Sequence, residues 1–306
     1  MKLGILKRMP VGVEIDADLR DPLSADDRER LRGLLYQHGL LLFRGQRLSH
    51  PQQIAVMDGF GPVLHARDGI GYISTDAGKG SLGTGELAFH SDLSFTTHPF
   101  LAISLHATDV VDGGSSTRFA SGTGGYARLS AERRRQLAGL SVLCAMPVDM
   151  STDRLSEVIA PAMPQHWRPA ILRHPVTDEP ILYVNQQHAA RLGGMADEQS
   201  AALLRELFAI LYAPENVYEH RWHNGDLLIW DNLILQHARG DLQSSGRRTL
   251  QRVVVAEKSF FDLCPQIDVN DPDYQRWNKS SNPAADRHLI ESVVARGARR
   301  LALARQ

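Results

Sequence analysis

The feature that most constrains this chain is a set of short, turn-bounded segments rich in β-branched and aromatic residues. Two of them stand close together, GDLLIWDN at 225–232 and RTLQRVVVAE at 248–257. Each is shorter than an ordinary helix and is closed off by turn-forming residues, which is the pattern of strands paired across tight connections. LLLF at 40–43 and LAISLHA at 101–107 read the same way. Helices are expected to flank these strands. Ser24 can cap a helix whose first turn is acidic and whose Leu31, Leu34 and Leu35 share one face. Ser49 and Gln52 have capping-box spacing with Pro51 in the first turn, and Ser130 and Asp197 open two further helices. The glycine-rich stretch 68–85 has almost no apolar periodicity, which predicts a long loop with fragmentary strands at most.

No linker or internal repeat divides the sequence. The expectation is one domain over 1–306, mainly β with flanking helices (α+β) around a closed β architecture, with a helical extension over about 262–306. That extension ends in DRHLIESVVARGARRLALARQ, a basic amphipathic helix whose arginines suit a solvated face, a subunit contact or a lid. A homo-oligomer stays open.

Charge and composition narrow the function. Lys and Arg number 34 against 35 Asp and Glu, a net charge of -1, so there is no global positive field for a nucleic-acid partner. Apolar runs fall far short of a membrane-spanning helix, and Lys2, Lys7 and Arg8 are not followed by a leader-like apolar stretch. A cytoplasmic protein acting on a small molecule is expected. The only cysteines, Cys144 and Cys264, exclude a disulfide scaffold or a thiolate zinc cage, so any metal must be held by His and carboxylate.

FHSD at 89–92 supplies such ligands. On an extended chain residues i and i+2 project to one side, so His90 and Asp92 can face one ion. A third, distant histidine would complete the two-His, one-carboxylate set of non-haem Fe(II) oxygenases. His237 follows the 225–232 strand by a short turn, whereas His220 and His223 read as surface or core residues. Without further support, His90 and Asp92 would be a hydrogen-bonded pair at a strand end. Support comes from Arg248 and Arg252, four residues apart on a core strand and therefore on one face with Leu250 between them. Two inward guanidiniums demand anions, either a structural carboxylate or a dicarboxylate cosubstrate.

With these residues in view, the sequence resembles the taurine dioxygenase/TfdA-type family of Fe(II)- and 2-oxoglutarate-dependent dioxygenases over most of residues 10–257. The resemblance runs through VGVEIDADLRDPLSADDRERLRGLLYQHGLLLFRGQRLSHPQQIAVMDGFG, FHSDLSF, DGGSSTRFAS, RHPVTDEPILYVN and WDNLILQHARGDLQSSGRRTLQRVVV. It implies a double-stranded β-helix (jelly roll, cupin-like) core, and Fe(II), 2-oxoglutarate and O2 as cofactor and cosubstrates. His90, Asp92 and His237 are the implied metal ligands. Thr117 and Arg248 are the implied 2-oxoglutarate contacts, with Arg248 eleven residues past His237. Arg252, fifteen past it, is implied beside the cosubstrate and close to the substrate. Glu86 and Tyr72 are further expected substrate contacts, and Glu86 with Arg252 would suit an amino-acid-like or amine-bearing acid. Asp92 favours hydroxylation over halogenation, because related halogenases lack that carboxylate. The chain departs from the family at GGSST, which lacks an acidic residue before the threonine, and over 60–86. The rivals are a non-redox cupin-like metalloenzyme and a non-catalytic metal- or anion-binding barrel. Neither has a use for Arg248.

Overall fold

Strand pairing builds two facing sheets. In the larger, the hydrogen-bonded order is Gly4–Arg8, Val13–Asp16, Leu40–Phe43, Leu227–Asp231, Ala102–Val110, Arg248–Val255 and Ile70–Ser74. The smaller is Val217–Arg221, Ser116–Ser121, Leu235–Arg239 and Leu87–His90. The computed structural model describes residues 3–66, 68–76, 78–80, 84–150, 154–155, 158–280 and 282–304. Within these sheets every pairing is antiparallel except that of Val13–Asp16 with Leu40–Phe43. This is the expected jelly-roll core.

The period-2 patterns determine what each face meets. Leu40, Leu42, Leu228, Trp230 and Leu250 of the large sheet form one apolar cluster with Phe119 and Leu235 of the small sheet. Phe119 and Trp230 meet edge to face, ring centroids 5.3 Å apart, in the geometry aromatic quadrupoles prefer. Leu41, Phe43, Ile229, Val253 and Val255 point the other way, against Leu31, Leu35, Val56 and Met57 of the two N-terminal helices. Those helices begin where their caps predict. Ser24 and Asp27 close a capping box on Ala25–His38, and Ser49 and Gln52 do so on His50–Met57. Gly39, at φ 76°, then turns the first helix into the buried Leu40–Phe43 strand.

The expectation for 68–85 needs correcting. Ile70–Ser74 is a genuine strand at the edge of the large sheet, in register with Thr249 to Val253. Its weak apolar pattern hides it, because an edge strand can be held by backbone pairing to its neighbour without a fully apolar face.

A further layer covers one side of the jelly roll. It combines the helix Asp197–Leu211, the sheet Ala189–Leu192, Ser141–Ala145 and Gln165–Pro169, and the long C-terminal helix Arg287–Leu303. Leu289, Ile290, Val293 and Val294 of that last helix are buried in the same cluster as Leu204, Leu207 and Val142. The apolar stripe of this helix is therefore used within the chain. Arg296 on its polar side pairs with Asp271 at 2.7 Å and Asp273 at 3.0 Å. Among the described residues, no helix is long and apolar enough to cross a membrane.

Candidate metal centre and adjoining cavity

His237 reaches the FHSD segment through strand pairing. Leu235–Arg239 lies beside Leu87–His90 with His237 directly opposite His90, and the two imidazole centroids are 4.2 Å apart. The connection leading into that strand is fixed by its own sequence. The Asp231 carboxylate accepts the Leu233 and Ile234 amides at 2.8 and 2.9 Å. Asn232, fully buried, accepts the Asp92 amide at 2.8 Å and donates to the Asp92 carbonyl at 3.0 Å. The WDN turn thus clamps the HxD backbone across 140 residues of sequence. The strand stops at His90, and in the turn that follows Leu93 sits at φ 59°, a left-handed conformation that is strained for a branched residue.

One donor atom from each of His90, Asp92 and His237 lies within 4.8 Å of the other two. Asp92 Oδ1 is 3.2 Å from His90 Nε2 and 3.7 Å from His237 Nε2. His90 Nδ1 donates to the Ala88 carbonyl at 2.8 Å, the tautomer that leaves the Nε2 lone pair available to a metal. Burial, then the neighbouring His90, pushes His237 down to about 3, so its imidazole is neutral at physiological pH. Burial pushes the Asp92 carboxyl up, but the His90 contact and the neighbouring cationic groups, the Arg252 guanidinium among them, hold it well below the usual carboxylate range. Two imidazole nitrogens and an ionised carboxylate suit a divalent first-row metal.

The arginines do face one way, as their spacing predicts, and meet different partners. Arg252 donates from Nη2 to Asp92 Oδ2 at 2.8 Å and from Nη1 to the Asp68 carbonyl, and it stacks over Phe100. Arg248 is 2% exposed, and among the described residues its Nε and Nη1 have no hydrogen-bond partner. Burial, then the nearby Arg239, lowers it to about 9, so it still carries its charge near neutrality. Thr117 is buried on the small sheet, where its hydroxyl accepts the Trp222 indole N–H at 3.0 Å.

A cavity of about 360 Å³ opens onto His90, Asp92 and Arg252. Tyr72 lines it, as expected, and leans on His50 with ring centroids 5.2 Å apart. Glu86 does not line it. Its carboxylate is 52% exposed and 3.8 Å from Arg118. The reason is a register shift between the His237–His90 and Arg239–Leu87 pairs. The shift places Leu87 and His90 both on the cavity, so the residue before Leu87 turns outward. Sequence reasoning missed Asn232, which clamps the Asp92 backbone, and the cavity-lining Asp68, His188 and aromatic residues beyond 257. Asn232 alone carried a signal, since a buried Asn beside a strand end must find partners for its amide.

A sequence model described as "Taurine catabolism dioxygenase TauD, TfdA family" matches residues 5–254. The chain belongs to this family. Among curated relatives, the alpha-ketoglutarate-dependent 2,4-dichlorophenoxyacetate dioxygenase of Cupriavidus pinatubonensis is 29% identical over 272 residues, covering 80% of this chain and 94% of its own. An alkylsulfatase of Acinetobacter baylyi is 26% identical over 265 residues, covering 80% and 82%. Two solved structures share the fold. A taurine dioxygenase from Burkholderia xenovorans superposes with a TM-score of 0.70 at 23% identity, covering 84% of this chain and 91% of its own. AAD-2 in complex with Mn(II) and N-oxalylglycine gives 0.71 at 24%, covering 85% and 99%. Enzymes of the TauD/TfdA family are oxidoreductases that take Fe(II), 2-oxoglutarate and O2, and the His-Asp-His set described above has the donor chemistry for that metal.

Proposed function

We propose that this chain oxidises a small anionic substrate at Fe(II) held by His90, Asp92 and His237, with 2-oxoglutarate bound through Arg248 and Thr117. The balance is substrate C–H, 2-oxoglutarate and O2 in, and C–OH, succinate and CO2 out. The observation that carries this reading is Arg248. A buried guanidinium with two unpartnered nitrogens costs several kcal/mol unless an anion joins it, and it stands on the same inward face as Arg252, which holds the metal-ligand carboxylate. A carboxylate could close a bidentate pair there. A non-catalytic barrel or non-redox metalloenzyme leaves this cation without a purpose.

Iron, when bound, supplies the activation of O2 that decarboxylation of 2-oxoglutarate drives. The chain supplies positions. Ala88 fixes the His90 tautomer, Asn232 fixes the Asp92 backbone, and Arg252 occupies Asp92 Oδ2 so that Oδ1 faces the two histidines. The aromatic rings of Phe95 and Phe100 help wall the cavity from water. The cytoplasm is part of the proposal, in keeping with two free, buried cysteines whose thiols burial pushes up to about 12.

Anaerobic titration with Fe(II) and 2-oxoglutarate tests this reading. A weak visible chelate band should form at one equivalent of each, and admission of O2 should yield succinate. Metal binding with neither band nor succinate would overturn it. Arg252→Leu, which strips Asp92 of its partner, is expected to weaken Fe(II) binding on the order of 10–100-fold, with Arg252→Lys intermediate. Unchanged affinity in a metal titration would show that Asp92 is positioned without Arg252.

A further inference from the structure

The carboxylates that line the cavity are committed, Asp92 to Arg252 and the histidines, Asp68 to the Ser259 hydroxyl at 3.0 Å and the Phe260 amide at 2.6 Å. Two consecutive polar side chains on its wall are almost fully buried, Gln187 at 1% exposed and His188 at 3%. Neither belongs to the metal set. They lie in the turn between Pro180–Leu182 and Ala189–Leu192, packed against the Leu87–His90 strand. The Gln187 amide donates to the Phe89 carbonyl at 3.1 Å, and the His188 ring meets the His90 ring edge on at 5.8 Å.

Hydrogen bonding fixes which atom each side chain presents. A carbonyl only accepts, so Gln187 places its Nε2 on the Met150 carbonyl and Oε1 is left over. For His188 the argument starts at its backbone amide, which donates to Asn185 Oδ1 at 2.8 Å and so turns Asn185 Nδ2 toward Ser94 Oγ, 3.2 Å away. Ser94 Oγ accepts there, and its own proton goes to His188 Nδ1 at 2.7 Å, the Cys144 thiol beside it being a much weaker acceptor. With Nδ1 accepting, the ring is neutral and its proton sits on Nε2. Gln187 Oε1 and His188 Nε2 have no hydrogen-bond partner among the described residues, and what little of each residue is exposed lies on the cavity. One atom accepts, the other donates, and neither is charged. Buried polar atoms left unpaired cost free energy that a matching ligand offsets.

We propose that Gln187 and His188 determine specificity by reading an uncharged polar part of the substrate, an oxygen acceptor bound by His188 Nε2–H and an N–H or O–H donor bound by Gln187 Oε1. A carboxamide supplies both. A carboxylate offers no donor to Gln187 and sets a charged oxygen against Oε1. This rests on the dioxygenase reading and adds a neutral polar group to its substrate. Ser94 and Asn185 are positioning residues that fix the His188 tautomer.

Nuclear magnetic resonance on the full chain without metal tests the proposal. With 15N-labelled histidine, His188 should carry its proton on Nε2; an unprotonated Nε2 overturns the donor. Benzamide, benzoate and acetophenone are then titrated against the methyl signals of Met146 and Met150, which line the same cavity. Benzamide should bind about tenfold or more tighter than benzoate. His188→Phe should weaken benzamide and acetophenone alike, on the order of tenfold, whereas Gln187→Met should weaken benzamide and leave acetophenone unchanged. Acetophenone binding that survives His188→Phe overturns the donor, and benzamide binding that survives Gln187→Met overturns the acceptor. Benzoate binding as tightly as benzamide, or benzamide moving neither methyl, overturns the subsite. If the ranking holds while Fe(II) and 2-oxoglutarate give no chelate band, the dioxygenase reading fails and the subsite stands. A chelate band without the ranking overturns the subsite alone.

Discussion

Replacing His237 with glutamine is expected to abolish metal-dependent turnover, to below about a thousandth of the native rate, while the chain stays folded. In the proposed site three protein donors would hold the metal, and the loss of one imidazole would leave a two-ligand site that a divalent ion leaves readily. The choice of glutamine matters. His237 packs between Trp230, with centroids 5.0 Å apart, and His90, so alanine would also open a cavity worth roughly 2–4 kcal/mol of stability. Glutamine keeps most of the volume and so separates metal loss from unfolding. The check is Fe(II) affinity by anaerobic titration beside a thermal melt. Native-like iron affinity in a folded His237→Gln protein would remove His237 from the site.

Much of this centre was legible in the sequence because its parts are ruled by short periods. His90 and Asp92 share a strand end, Arg248 and Arg252 share a strand face, and period 2 fixes both relations without knowledge of the partner strand. His237 was legible because it follows a turn-bounded strand. The rest depends on which strand lies beside which. The Asn232 clamp on Asp92 spans 140 residues, and the Asp68 link to Phe260 spans 192, distances over which periodicity says nothing. Glu86 shows the limit from the other side. Alternation alone puts it on the face of His90, and only the register shift opposite Leu87 and His90 turns it out to Arg118. The basic helix Arg287–Leu303 was read correctly as amphipathic, but its use was not legible, since an apolar stripe does not state whether its partner is the same chain.

Arg248→Met should act in opposite directions on stability and on cosubstrate binding. In the protein without ligand, Arg248 is a buried cation whose Nε and Nη1 find no partner among the described residues, and burial pulls it down to about 9. A methionine fills comparable space without that desolvation cost, so the unliganded variant is expected to be more stable by about 1–4 kcal/mol, read as a raised Tm. The same change removes the proposed anchor for the distal carboxylate of 2-oxoglutarate. Losing one partner of a buried, charge-assisted pair costs on the order of 3–5 kcal/mol, which is a rise of roughly 100-fold or more in the 2-oxoglutarate constant. Arg248→Lys keeps the charge and loses the fork, so it should fall between, with a rise of about tenfold. Thermal melts with and without 2-oxoglutarate read both effects in one experiment. The native protein should gain Tm on adding 2-oxoglutarate, and Arg248→Met should start higher and gain nothing. A variant that starts lower and still responds would show that the guanidinium is satisfied within the fold and that the cosubstrate is anchored elsewhere.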